Sequence, residues 1–230
     1  MDIVIGSLLE GARQATGSVA VIDVFRAFTT AAVALANGAA HIIMVGTVEE
    51  AQALREQGVG TICMGEVGGR APAGFDFGNS PFEISRLDFR GQAIIQRTGA
   101  GTQGIVSAHQ ADRLYAASLV TAGATARALL AGAPERITLV AMGNNAVART
   151  DEDEVCALHL RNLLGGRAGD ADAVRRLILA SKEAARFHDP ARPYLHPGDL
   201  EIALDIDRYD FAIRVKLEAG RPVARMERAG

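Results

Sequence analysis

The chain has 230 residues, 49% apolar and 22% charged, with a formal net charge of -3 at pH 7. That length supports one sizeable core and predicts a single domain over residues 1–230. The slightly acidic balance speaks against general nucleic-acid binding, and no run approaches the roughly 18 apolar residues of a membrane span. Without a secretory leader pattern the expected location is the cytoplasm, and a homodimer is left open. Cys63 and Cys156 show no metal-ligand spacing and are expected to be small buried hydrophobes.

In chain order, residues 2–9 read as a short strand and 11–17 as a loop. Val19-Ala20-Val21-Ile22, ending in Asp23, is a continuous apolar run of the kind buried on both faces of a parallel sheet. Thr29-Thr30 opens a small-residue helix over 31–37 that Gly38 stops. His41-Ile42-Ile43-Met44-Val45 is a second buried strand. Thr47 caps the next helix, with Glu50 at the N3 position of a capping box and Gly58 at its end.

Strand 61–64 leads into a long Gly- and Pro-rich connection from Gly65 to Glu83. Phe75, Phe77 and Phe82 give this loop more apolar surface than a solvated linker needs, so it is expected to be ordered. Glu66, Arg70, Asp76, Asn79 and Ser80 are then available to a ligand.

After the loop the pattern restarts. Residues 92–97 are strand-like, 98–104 form a Gly/Thr turn, 105–109 begin a helix and 114–118 form a strand. A helix over 121–132 and a strand over 137–142 follow. Superposing Ile22 on Ile95 brings Asp23 to Gln96, Thr29 to Thr102 and Ile43 to Ala116. That offset suggests two related βα halves with equivalent strand-to-helix turns at 23–30 and 96–103. Four acids lead a helix over 151–164, where complementing the helix dipole is one explanation. An amphipathic helix over 170–187, Pro-rich breaks, a last helix near 199–207 and an edge-type strand over 211–217 complete the chain. The alternation implies an α/β sandwich on a mostly parallel, mixed sheet.

Ligands of open α/β sheets bind beyond the carboxyl ends of the strands. Those ends carry Asp23 with Arg26, Thr29 and Thr30; Glu66 with Gly68, Gly69 and Arg70; Arg97 with Gly101 and Thr102; and Glu152 with Asp153. Carboxylates such as Asp23, Glu66, Glu152 and Asp153 suit Mg²⁺, while Arg and backbone N–H groups suit phosphate oxygens. The set fits hydrolysis of a small-molecule phosphate ester by positioning and charge neutralisation. Asp23, Arg26, Glu66 and Arg70 are the expected catalytic groups, and Asn79 and Ser80 join the turn residues as substrate binders. Gly99-Ala100-Gly101-Thr102-Gln103-Gly104 matches a dinucleotide fingerprint, but the following strand lacks the acid that holds a ribose hydroxyl. A non-catalytic anion-binding protein is the other alternative.

Four blocks, Ile22-Asp23-Val24-Phe25-Arg26-Ala27-Phe28-Thr29-Thr30, Gly65-Glu66-Val67-Gly68-Gly69 with Gly74-Phe75-Asp76-Phe77-Gly78-Asn79-Ser80-Pro81, the 98–104 turn, and Glu152-Asp153-Glu154-Val155-Cys156-Ala157, together resemble the 2-phosphosulfolactate phosphatase family. The resemblance implies a three-layer α/β/α fold and a Mg²⁺-dependent phosphatase that releases phosphate from 2-phosphosulfolactate on the route to coenzyme M. One departure is visible: many relatives carry an Asn-Gly-Thr turn where this chain has Ala100-Gly101-Thr102.

Overall fold

The computed structural model describes residues 1–228. In chain order the elements are β1 (Asp2–Ser7), α1 (Leu8–Gln14), β2 (Gly17–Ile22), α2 (Ala27–Ala36), β3 (His41–Met44), α3 (Val48–Glu56) and β4 (Ile62–Gly65). After the long loop come α4 (Pro81–Ile84), β5 (Ala93–Arg97), α5 (Gly101–Ser107), β6 (Ala111–Ala117), α6 (Ala122–Leu130), β7 (Arg136–Ala141) and α7 (Asp151–Leu164). The C-terminal part holds α8 (Ala171–Leu179), α9 (Lys182–Ala185), a 3-10 turn (Arg186–His188), α10 (Pro197–Ala203), β8 (Ala212–Glu218) and β9 (Arg221–Glu227).

All nine strands form one sheet in the order β1-β7-β2-β6-β8-β9-β3-β5-β4. Alternate residues of the central strands feed opposite faces, which makes the molecule a three-layer sandwich. Val19 and Val21 point into the core under α1, α2 and α5, whereas Ala20 and Ile22 point into the core under α6 and α7. A third cluster around Ile43, Cys63 and Ile95 lies under α3. Helix α2 is apolar or small all round and buried from Ala27 to Leu35, as expected of a helix inside the molecule.

The order of strands is symmetric about the β8–β9 hairpin. The unit β2-α2-β3-α3-β4 crosses from one side of the hairpin to the other, and β5-α5-β6-α6-β7 crosses back. The offset that lays Ile22 on Ile95 therefore relates topologically equivalent strands, β2 to β5 and β3 to β6. Each set is parallel within itself. Three successive antiparallel pairings separate β6 from β3, so the two sets run in opposite senses along the ladder.

In a flat sheet that reversal would put the carboxyl ends of β2 and β5 at opposite edges. Strand twist accumulates, however, at roughly 20–25° per neighbour. Over the five steps from β2 to β5 the direction turns by roughly 100–125°, which brings both ends toward a common side. The outcome is direct: a Cβ added to Gly101, which follows β5, would lie 2.9 Å from Asp23 Oδ2, which follows β2.

Four sequence expectations need correction. The segment read as a loop over 11–17 contains most of α1, because Gly11 serves close approach, 3.0–3.2 Å from Gly6 for its absent Cβ, and does not break the helix. The strand over 211–217 is central, not at an edge. Its polar residues mislead because the Lys216–Glu218 end, paired with β9 alone, runs past the β6 pairing into solvent while Ala212, Ile213 and Val215 are buried. Helix 170–187 is broken at Ser181, whose Oγ accepts from Ala184 N–H and caps a new short helix. The last helix ends at Ala203 and starts at Pro197, with His196 and Asp199 forming its capping box.

Candidate active site

At the junction of the two parallel sets lies a cleft of about 160 Å³. Asp23, Arg26, Glu66, Gly68, Gly69, Asn79 and Glu152 line it, and so do Glu183, Arg186 and Tyr194 from the C-terminal part. The N-termini of α2 and α5 meet at its floor. A side chain at Gly101 would strike Ala27 Cβ at 2.8 Å as well as Asp23, so only glycine lets the two turns close.

Asp23 is buried, and its Oδ1 accepts from Ala27 N–H at 3.0 Å, which also caps the first turn of α2. Burial pushes its carboxyl up to about 7, with the neighbouring Glu66 charge adding to the effect against the Ala27 N–H. Glu152, in the first turn of α7, is likewise driven up to about 7, first by burial and then by repulsion from Glu183 and Asp23. Glu183 stands on α9, the short helix created by the break at Ser181. Oε2 of Glu152 and Oε2 of Glu183 are both buried without a hydrogen-bond partner.

Glu66 plays a different part. Its Oε1 accepts from Gly99 N–H and its Oε2 from Gly69 N–H at 2.6 Å, so the carboxylate ties the β4 loop to the β5 turn. Asp153 is a brace of the same kind. It is fully used by Val24 N–H and Gly143 N–H, each at 2.8 Å, and does not line the cleft. Burial and the charges of Glu152 and Asp23 raise its carboxyl well above the ordinary range.

Arg26 is held rigidly. Its Nη1 donates to Asp199 Oδ2 at 2.7 Å and to the Tyr194 carbonyl at 2.9 Å, and the ion pair is almost wholly buried. Asp199 also accepts from Ser80 Oγ and from Phe82 and His196 N–H, which knits the long loop, α10 and Arg26 together. The sequence offered one signal for Asp199, its capping-box spacing, and that signal pointed only to a helix start.

Several expected binders, and the expected catalytic group Arg70, face elsewhere. Thr29 and Thr30 hydroxyls donate to the carbonyls of Val24, Arg26 and Asn79. Thr102 closes on Thr98, accepting from its N–H at 2.8 Å and donating to its carbonyl at 3.0 Å. Arg97 donates to the Glu66 and Gly46 carbonyls, Ser80 caps α4 and bonds Asp199, and Arg70 lies outside with its guanidinium 4.9 Å from the Tyr194 ring. These residues support the walls from behind and do not line the cleft. Asn79 does line it, with its carbonyl tied to Thr30 and its Oδ1 buried without a partner.

The glycines of 99–104 serve packing. Gly104 leaves room for Met142 and Val21, and Gly99 lies against Asn145 and Glu66. The dinucleotide pattern is thus used for helix-to-helix and helix-to-strand approach.

Among the described residues no three His, Cys, Asp or Glu side chains form a ready-made metal cage. Mg²⁺ does not need one, since it takes one or two carboxylates and completes its shell with waters and substrate oxygens. Orphaned oxygens on mutually repelling buried acids are the donor set such a hard cation satisfies. Among the described residues no helix is long and apolar enough to cross a membrane.

The sequence model of the family described as 2-phosphosulpholactate phosphatase matches residues 5–194. A Deinococcus radiodurans protein is 40% identical over 136 residues, which cover 57% of this chain and only 55% of that protein. A Thermotoga petrophila protein is 34% identical over 166 residues, covering 72% of this chain and 71% of that protein. A Bacillus subtilis protein is 30% identical over 206 residues, covering 88% of each. All three are described as probable 2-phosphosulfolactate phosphatases. Matched from β1 to the Tyr194 wall of the cleft, the chain belongs to the 2-phosphosulfolactate phosphatase family, a family named for phosphoric monoester hydrolysis.

Proposed function

We infer that the cleft hydrolyses a small anionic phosphate monoester with Mg²⁺, and that 2-phosphosulfolactate, split to sulfolactate and phosphate, is the first substrate to try. One observation carries this reading: Asp23 and Glu152 are buried, raised to about 7 by burial and by neighbouring acids, and form no ion pair among the described residues although Arg26 and Arg186 line the same cleft. Structural acids of a core are paired or hydrogen-bonded; clustered acids in conflict mark a functional site.

Asp23 and Glu152 would hold the cation, which supplies Lewis-acid neutralisation of the phosphoryl oxygens. Arg26, immobilised by Asp199, stands beside the negative charge that spreads over the transferring group. Water adds its oxygen to phosphorus and the ester P–O bond breaks. Glu183, with Oε2 unpartnered, takes the proton from that water and returns it to the leaving alkoxide. The loop at Gly68-Gly69 lines the cleft where the phosphate would sit. Gly69 at φ +85° lies so near Tyr194 that a Cβ would sit 2.6 Å from the ring.

Phosphate release from 2-phosphosulfolactate should require Mg²⁺, stop with chelator, and fall about a thousandfold in Asp23→Asn, the scale of losing one charge-stabilising group. Full activity in Asp23→Asn would remove Asp23 from the centre, and tight ester binding without turnover would make the protein an anion receptor.

A further inference from the structure

Two arginines line the cleft, and their circumstances differ. Arg26 is neutralised by the buried Asp199 and anchored to the Tyr194 carbonyl. Arg186 forms no ion pair among the described residues, and its Nε is buried without a hydrogen-bond partner. A buried polar donor left unmatched is unfavourable and asks for an acceptor. The 3-10 turn that carries Arg186 is pinned to the loop after β2, because Phe187 meets Phe25 edge to face with centroids 5.0 Å apart. The guanidinium is therefore part of the wall of the cleft.

The charges sort by what remains uncommitted. Glu66 is occupied by two backbone N–H groups and Arg26 by Asp199. Asp23 and Glu152, which form no ion pair among the described residues, and Glu183, whose Oε1 lies 3.7 Å from the exposed Lys182 Nζ while its Oε2 has no partner, are left on the negative side and Arg186 on the positive. Three acids repel a phosphate unless a cation stands between, so the phosphoryl group belongs with the acids and their cation. Arg186 is then the one unneutralised charge among the lining residues open to another anionic group of the same molecule.

We propose that Arg186 is the specificity-determining residue of this cleft: it receives a second anionic group, a sulfonate or carboxylate, carried by the phosphate ester. This rests on the phosphatase reading above and adds the residue that selects doubly over singly anionic esters. The planar fork of arginine matches either group with two parallel N–H donors. The expected discrimination is roughly 10- to 100-fold, the scale of hydrogen bonds to charged partners.

Calorimetric titration in Mg²⁺ tests it, with phosphonoacetate as the doubly anionic probe and ethylphosphonate as the singly anionic one. The wild-type protein should prefer phosphonoacetate at least tenfold, and Arg186→Gln should erase that preference while keeping its affinity for ethylphosphonate. Arg186→Lys, which keeps the charge but loses the fork, should show an intermediate preference and carries the test if the Gln variant fails to fold. Absence of a wild-type preference, its persistence in both variants, or equal weakening of both probes would overturn the proposal. Phosphate release is read separately: a preference without turnover sinks the phosphatase reading alone, and turnover with an intact preference in Arg186→Gln sinks the role of Arg186 alone.

Discussion

The turn after β2 and the turn after β5 occupy equivalent places in two topologically related halves, yet they contribute opposite things. The first brings Asp23 and Arg26, charges with ionic or cationic business. The second brings Gln96 at the place of Asp23, with its Nε2 donating to the Ala27 carbonyl, and then Thr98 and Thr102 satisfied on each other. Its gift is closeness, through Gly99 and Gly101. A related pair of turns can thus divide the labour of a site, one supplying charge and the other the empty space that lets charge be buried.

The charged side should be the more fragile. Asp199→Ala leaves Arg26 buried and unpaired, and is expected to cost about 3–5 kcal/mol of stability, read from the urea midpoint. A loss under about 1 kcal/mol would mean that water reaches Arg26 freely.

pH probes the same side. An acid whose pKa is higher in the fold than in the unfolded chain binds its proton more tightly when folded. Its contribution to stability is complete below the unfolded value near 4 and drains away as pH rises through the folded value. With Asp23 and Glu152 both pushed up to about 7, the chelated protein should melt several degrees lower at pH 8 than at pH 5. Mg²⁺ should raise the melting temperature more at pH 8 than at pH 5, since it binds the ionised acids. A flat profile in chelator would show that these carboxylates are not in conflict.

On the packed side, Gly101→Ala puts a methyl group 2.8 Å from Ala27 Cβ and 3.0 Å from Phe28 Cζ. Overpacking of this kind costs about 1–3 kcal/mol, and phosphate release should fall with it as the two turns part. Thr102→Val removes a hydroxyl that bridges Thr98 N–H and carbonyl. It should lose about 1 kcal/mol and leave turnover nearly intact. If Thr102→Val instead abolished turnover, the hydroxyl would be reaching substrate and the division between the turns would fail.

Much of this was legible in the sequence for physical reasons. Buried parallel strands write continuous apolar runs, so β2, β3, β5 and β7 and the layered α/β architecture could be read directly. Strand-terminal Asp23 and the acids that lead α7 carried their own positional meaning. The side-chain partners were not legible, because nothing local tells Asp153 from Glu152: one faces two backbone N–H groups and the other an open cleft. Nor does helical periodicity reveal that Ser181 caps a new helix, and that small break is what brings Glu183 and Arg186 to the cleft that Asp23 lines. Thr29, Thr30 and Thr102 looked like phosphate binders because hydroxyls at helix starts serve ligands and backbone alike.

The hairpin in the middle of the sheet has a bearing on how the chain acquires its shape. Its strands follow the other seven described strands in the chain, and until they are made β6 and β3 each present an unpaired edge to other chains. The nascent protein must therefore wait with two half-sheets open, and early termination near residue 210 would strand it in that sticky condition.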